Sequence, residues 1–220
     1  MMTLNDMMPI DSTLVKSASI TCAEAFKKDP LTIYLIPDEK KIVKLPLGFE
    51  YLFRMSIAQK SELYTISRHC EGVAVWHDSR IKPPFDAVFR GGDLLIPFQF
   101  GFRFIIRSLS VDRFSAQIKR KFAPEQHMYL AWLAVHPDFQ GKGYACLLLN
   151  QMLQRLDYEG LPCYLETQSY KNVSFYKHFG FRTVYSGEIT DTGVPFFAML
   201  RDVNTVPAMA FSNQLSASPA

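Results

Sequence analysis

The sequence predicts a mixed α/β fold, and three adjacent stretches predict it. Met128 to Val135 is an apolar, aromatic run of strand length. It enters Val135-His-Pro-Asp-Phe-Gln-Gly-Lys-Gly-Tyr-Ala145, a glycine-containing turn. From Ala145, apolar residues recur with helical spacing through Leu148, Leu149, Met152, Leu153 and Leu156. Gly160-Leu161-Pro162 then leads into the strand-like Cys163 to Thr167. Strand, helix and parallel strand form a right-handed unit, with ligands expected at the carboxyl ends of the strands. A turn opening a helix gathers several backbone N–H groups at one spot, and the helix dipole favours negative charge there. Gly141 and Gly143 lack a Cβ, so backbone can bend tightly and approach a ligand closely. The stretch is built to hold a phosphate-bearing ligand.

The remaining elements follow in chain order. At 220 residues and 48% apolar content, a single domain over 1–220 with a full core is expected. Residues 1–10 read as a loose end or a short first strand. Asp11 or Ser12 can cap a helix to about Lys28, with Leu14, Val15, Ala18, Cys22, Ala25 and Phe26 on its apolar side, stopped by Asp29-Pro30. Leu31 to Pro37 reads as irregular. A helical region interrupted by Pro46 spans roughly 39–59. Leu63–Ile66 and Gly72–Trp76 read as two strands. Residues 78–126 form a long insertion, too aromatic for a disordered linker. Two or three helices are expected there, broken near Pro83-Pro84, Gly91-Gly92 and 108–112, acting as a lid or as a structural cap. After Thr167 come a helix from about Lys171 to Phe179, ended by Gly180, and a closing antiparallel pair, Phe181–Glu188 and Val194–Leu200. Residues 203–220 are expected to be a loose tail.

Charge and composition exclude several classes. Net charge is +3, with no basic tract interleaved with aromatics, so no nucleic-acid partner is expected. Cys22, Cys70, Cys146 and Cys163 are widely spaced and form no metal pattern with the five histidines. They read as reduced, mostly buried thiols of a cytoplasmic protein with no metal. The start of the chain lacks the basic and apolar segments of a signal peptide. Leu94–Ile106, the most membrane-like stretch, falls short of the roughly 20 residues a span requires, so no membrane partner is expected.

Gln140-Gly141-Lys142-Gly143-Tyr144-Ala145 resembles the Gln/Arg-x-x-Gly-x-Gly/Ala signature of the GNAT superfamily, the acetyl-CoA-dependent N-acetyltransferases. Leu133-Ala134-Val135-His136-Pro137 resembles the end of that family's fourth strand. Leu165-Glu166-Thr167 with Asn172, Tyr176, Gly180 and Phe181 resembles its fifth strand and following helix. The close resemblance covers roughly residues 127–187. It implies a central mixed, mostly antiparallel sheet with a splayed parallel β4/β5 pair, helices on both faces and a helical insertion between β3 and β4. It implies acetyl-CoA as co-substrate and an amine as acceptor, with no serine or cysteine nucleophile.

The resemblance also distributes roles. The pantetheine arm would lie between the splayed strands, against the backbone of Leu133, Ala134 and Val135, and one N–H there could bond the thioester oxygen as charge develops. The N–H groups of Gly141, Lys142, Gly143, Tyr144 and Ala145 would hold the pyrophosphate. Gln140 would shape the turn, and the Lys142 side chain either adds a charge or is solvated. Asn172 and Tyr176, four apart on one helix face, would be cofactor contact and general acid. A hydroxyl of pKa about 10 is protonated at neutral pH and can donate to a departing thiolate, whose thiol has a pKa of about 8.5. The alternative is a Tyr176 packed ring-inward with a wet hydroxyl. Relatives that carry a glutamate early in the fourth strand would place it near Tyr129, where there is no carboxylate. Glu166 and His127 are the candidate bases, with a water chain as the third possibility. Transfer of another acyl group, or a non-catalytic acyl-CoA-binding sensor or scaffold, would share the same binding turn. The acceptor, and monomer or homodimer, are not readable.

Overall fold

The computed structural model describes residues 7–82, 84 and 96–204, with only the backbone described at 96 and 97. Seven strands make one sheet in the order β1-β2-β3-β4-β5-β7-β6. They are β1 (Met8–Pro9), β2 (Glu62–Thr65), β3 (Gly72–Asp78), β4 (Met128–Val135), β5 (Cys163–Thr167), β6 (Arg182–Glu188) and β7 (Pro195–Arg201). All neighbours pair antiparallel except β4 and β5, which are parallel. The mixed sheet with one parallel pair is the arrangement expected from the sequence.

One face of the sheet carries α1 (Val15–Phe26), α2 (Pro30–Leu35), α3 (Glu39–Ile42), α4 (Leu45–Ala58), the single turn α5 (Ile96–Gln99) and the long α6 (Phe102–Phe122). Their apolar residues form a core with Val73, Val75 and Ala134, and α6 closes a further cluster over Tyr164, Phe196 and Ala198. The other face carries α7 (Tyr144–Glu159) and α8 (Tyr170–Lys177) over Ala74, Trp76, Leu130, Cys163 and Leu165. Period-two alternation sorts β5 cleanly: Tyr164 joins the α6 face, Cys163 and Leu165 the α7 face. Two arginines pin α7 at its rim. Arg155 forks onto Glu62 of β2 at 2.6 and 2.8 Å. Arg201 of β7, 4% exposed, forks onto Asp157 at 2.7 and 2.6 Å and also donates to the Phe179 carbonyl at 2.9 Å.

Two expectations are corrected. Leu31 to Pro37 is not irregular: Pro30 to Leu35 is helical because the Asp29 carboxylate accepts the Leu31 N–H at 2.9 Å and Pro30 sits where a missing N–H costs nothing. The break expected at 108–112 is absent, and α6 runs through it for 21 residues. Ser108, Ser110 and Asp112 weaken a helix locally, but Val111 and Ile118, seven residues apart, bury themselves on one side and override them. The helical region 39–59 divides at 43–44, with Pro46 in the first turn of α4 rather than inside it. The expected breaks at Pro83 and at Gly91-Gly92, and the tail from 205 onward, lie outside the described residues.

Candidate active site

The sheet opens at one point. β4 and β5 pair only from Met128↔Cys163 to Leu130↔Leu165, yet β4 continues to Val135. The cause is visible on the other edge of β4. Val75 pairs with Trp132 and Trp76 with Leu130, so Ala131 is an extra residue, a bulge that bends β4 where its pairing with β5 ends. Beyond the bulge, the His136 N–H donates to the Glu71 carbonyl at 2.9 Å. Antiparallel alternation then turns the backbone of Ala134 toward β3, and that of Leu133 and Val135 into the opening. The Gln140 side-chain amide donates to the Val135 carbonyl at 3.2 Å, which ties the turn to the strand end. Of the three strand residues implied for cofactor contact, Leu133 and Val135 thus offer main-chain groups, while the Ala134 backbone is engaged with its neighbour.

The turn follows at once. Residues Pro137–Phe139 make a 3₁₀ turn, after which Gly141 and Gly143 adopt φ of +78° and +83°. Left-handed φ is why glycine stands there; no protein atom lies within 4 Å of where a Cβ would be, so both positions face open space. Gly143 is the N-cap of α7 and supplies no side-chain cap. Among the described residues, none accepts from the N–H groups of Gly141, Lys142, Gly143, Tyr144 or Ala145. Five donors thus stand at the positive end of a 16-residue helix, where negative charge is favoured, and a diphosphate suits that chemistry. The Lys142 ammonium lies 4.6 Å from the centroid of the Phe139 ring, over the turn itself.

On the α7 face, Asn172 Nδ2 donates to Thr167 Oγ1 at 3.2 Å, joining α8 to the end of β5. Tyr176, one turn on, is 8% exposed and stands edge-on to Phe175 and Phe181. Burial, with the nearby Cys163 thiol, pushes its hydroxyl far above the ordinary range, so it is protonated at any physiological pH. Among the described residues none hydrogen-bonds that hydroxyl.

Glu166 lies on the opposite face, one residue past the last β4–β5 pair. Its carboxylate accepts from Ser115 of α6 at 2.5 Å and Tyr164 at 2.9 Å, and reaches the Tyr129 hydroxyl at 3.5 Å. Burial raises its pKa, opposed by the Lys119 charge and these hydroxyls. Lys119 places its ammonium 3.4 Å from the centroid of the Tyr129 ring. Tyr129, where a glutamate was missed in the sequence, therefore borders a carboxylate supplied by the neighbouring strand. His127 sits elsewhere, three residues before the end of the pairing. Its Nδ1 is 2.7 Å from the Pro124 carbonyl, and it lines a cavity of about 380 Å³ with Lys60, His77, Ser79, Lys119 and Tyr129. Burial lowers its pKa, and the Lys119 charge adds to that. The structure thus brings Glu166, not His127, to the opening between the strands. Sequence reasoning missed Ser115, Lys119 and Tyr164. Alternation along β5 could have paired Tyr164 with Glu166, and the four-residue spacing of Ser115 and Lys119 puts them on one helix face; nothing local says that this helix lies over β5.

Residues 117–202 match the family model of the acetyltransferase (GNAT) domain, from within α6 to the end of β7. That segment is similar to a GNAT acetyltransferase domain. A Schizosaccharomyces pombe protein described as an uncharacterized N-acetyltransferase is 28% identical, over 92% of this chain and 89% of its own length. The GNAT fold recurs in a Corynebacterium glutamicum protein described as histone acetyltransferase HPA2 and related acetyltransferase, at 21% identity and TM-score 0.61, over 90% of this chain and 96% of that one. It recurs again in arylalkylamine N-acetyltransferase 2 of Aedes aegypti, at 15% identity and TM-score 0.59, over 90% and 98%. Enzymes of the GNAT family use acetyl-CoA. Among the described residues no group of three or more histidine, cysteine, aspartate or glutamate side chains could hold a metal, and no helix is long and apolar enough to cross a membrane.

Proposed function

We propose that this GNAT domain transfers an acetyl group from acetyl-CoA to a primary amine by direct attack in a ternary complex. One observation carries the reading: the N–H groups of 141–145, which no described residue accepts from, stand directly beyond the strand end at which β4 leaves β5. A diphosphate on the turn, with its arm along the exposed backbone of Leu133 and Val135, leads the thioester into the opening. Asn172 would contact the arm from α8. Glu166 and Tyr176 lie on opposite faces of β5, so base and acid would reach the thioester from opposite sides. The amine gives its proton to Glu166 and forms the new C–N bond. A main-chain N–H of the opening holds the thioester oxygen as charge develops there. The C–S bond breaks, and the thiolate takes the Tyr176 proton. Four free cysteines, three of them buried, suit a reducing cytoplasm.

Calorimetry with CoA and acetyl-CoA tests the cradle, and CoA release with a panel of primary amines tests the chemistry. Saturable binding followed by amine-dependent release is expected. No uptake of either CoA or acetyl-CoA would sink the reading. Binding without release by any amine would favour a sensor or scaffold, and release only with longer acyl-CoA would change the acyl group.

A further inference from the structure

The insertion between β3 and β4 bears on the site in a way that a lid or a cap would not. Ser115 and Lys119 stand one turn apart on α6; Ser115 donates to the Glu166 carboxylate, and the Lys119 charge acts on it from the neighbouring Tyr129 ring. Ser115 Oγ lies 2.5 Å from Glu166 Oε2, and the Lys119 ammonium rests on Tyr129, whose own hydroxyl turns toward that same oxygen. We propose that Ser115 and Lys119 are positioning residues for proton transfer: the helix of the insertion orients the Glu166 carboxylate and keeps it ionised. The inference rests on the assignment of Glu166 as base.

The physical need is specific. A carboxylate enclosed between a sheet and a helix tends to take up a proton, because burial penalises its charge. A protonated Glu166 cannot accept the amine proton. The hydroxyls of Ser115, Tyr129 and Tyr164 stabilise the anion by hydrogen bonding, but only Lys119 brings a full positive charge. The other ionisable groups that face the cluster do not replace it. His77 on β3 has its pKa lowered to about 4 by burial and by the Lys119 charge, and His127 before β4 is also lowered, so both are neutral near pH 7. Tyr129 and Tyr164 are pushed upward by burial and stay protonated. Asp112, also on α6, has its own pKa raised by burial and acts on Lys119. Burial lowers the pKa of Lys119, and the charges of Glu166 and Asp112 oppose that shift. Lys119 also lines the cavity that Lys60 and Ser79 border.

The test is a titration that needs no acceptor. In protein carrying carboxyl-labelled glutamate, the Glu166 carbon resonance is the one lost in Glu166→Gln, and its midpoint is followed in Lys119→Met, Lys119→Arg and Ser115→Ala. Lys119→Met is expected to raise the midpoint by about one pH unit or more, with Lys119→Arg restoring it and Ser115→Ala raising it less. The acid limb of turnover, with any amine that supports CoA release, should move up in parallel while the KM for acetyl-CoA stays put. Lys119→Gln serves in place of the methionine variant if that variant melts early. A midpoint that stays in place when the charge is removed overturns the proposal. Full turnover by Glu166→Gln would instead remove the base assignment, a separate failure that the titration does not share.

Discussion

The two faces of β5 are built by different means. On the α7 face, the groups suited to the cofactor are mostly main chain: two glycines with left-handed φ, a helix N-terminus and a strand end freed by a bulge. Residues 131–145 contain all of them. On the α6 face, the candidate proton machinery is all side chain, drawn from Ser115, Lys119, Tyr129, Tyr164 and Glu166 on three separate elements. A backbone cradle tolerates change at neighbouring side chains but depends on φ. A side-chain cluster tolerates backbone variation but depends on which helix covers it. The proposed cofactor cradle is thus local in the chain, and the proposed proton machinery is tertiary.

The sharpest way to break the comparison is to release the α7 face from the sheet. Arg201 is buried and ties Asp157 of α7 to the Phe179 carbonyl after α8. Arg201→Ala leaves Asp157 and that carbonyl without their donor and is expected to cost about 3–5 kcal/mol in denaturant unfolding. The cluster around Glu166 holds no part of this clamp. A loss below about 1 kcal/mol, the range of an exposed pair, would show that the clamp is dispensable. Next comes Tyr176→Phe, which keeps the edge-on contacts to Phe175 and Phe181 and removes only the hydroxyl. Turnover at saturating acetyl-CoA should fall by about 100-fold with little change in melting temperature, the lower end of the range for a general acid. Unchanged turnover would return Tyr176 to the role of a packed ring.

The α6 face makes a different prediction, in stability rather than rate. His77 Nδ1 is 2.5 Å from Ser61 Oγ, its ring stacks on Tyr129, and its folded pKa is about 4 against the ordinary 6.5. A depressed folded pKa means that the unfolded chain takes up the proton first. The stability is therefore fully present above pH 6.5 and is lost as pH falls toward 4. Equilibrium unfolding should lose about 2 kcal/mol across that window, and His77→Asn should remove most of the slope. A variant with the same slope as the parent would assign the acid sensitivity to other groups.

These contrasts also explain what could be read before the fold was known. The β4–turn–α7 unit was legible because Gly141 and Gly143, the apolar run before them and the helical period after them are consecutive. Asn172 and Tyr176 were legible as one helix face for the same reason. The bulge at Ala131 was not, since it is a mismatch with β3, not a property of β4 alone. Ser115 and Lys119 were hidden more deeply. Their helix was expected to break at 108–112, and only its packing against β6 and β7 lays that surface over Glu166. His127, a candidate base in the sequence, is held by the Pro124 carbonyl at the cavity instead.

The smallest effect isolates the backbone cradle from mere strain. Gly143 at the start of α7 and Gly160 at its end have φ of +83° and +68°, and neither has protein within 4 Å of a built Cβ. Alanine at either position meets the same left-handed penalty, about 1 kcal/mol, so the two variants should lose similar stability. Only Gly143 lies among the N–H groups proposed to hold the diphosphate. Gly143→Ala should therefore weaken acetyl-CoA binding by about five- to tenfold in calorimetry, as a Cβ and a shifted φ tilt those donors, while Gly160→Ala leaves affinity unchanged. Equal affinities in the two variants would mean that the turn is a helix start like any other and that the phosphates are held elsewhere.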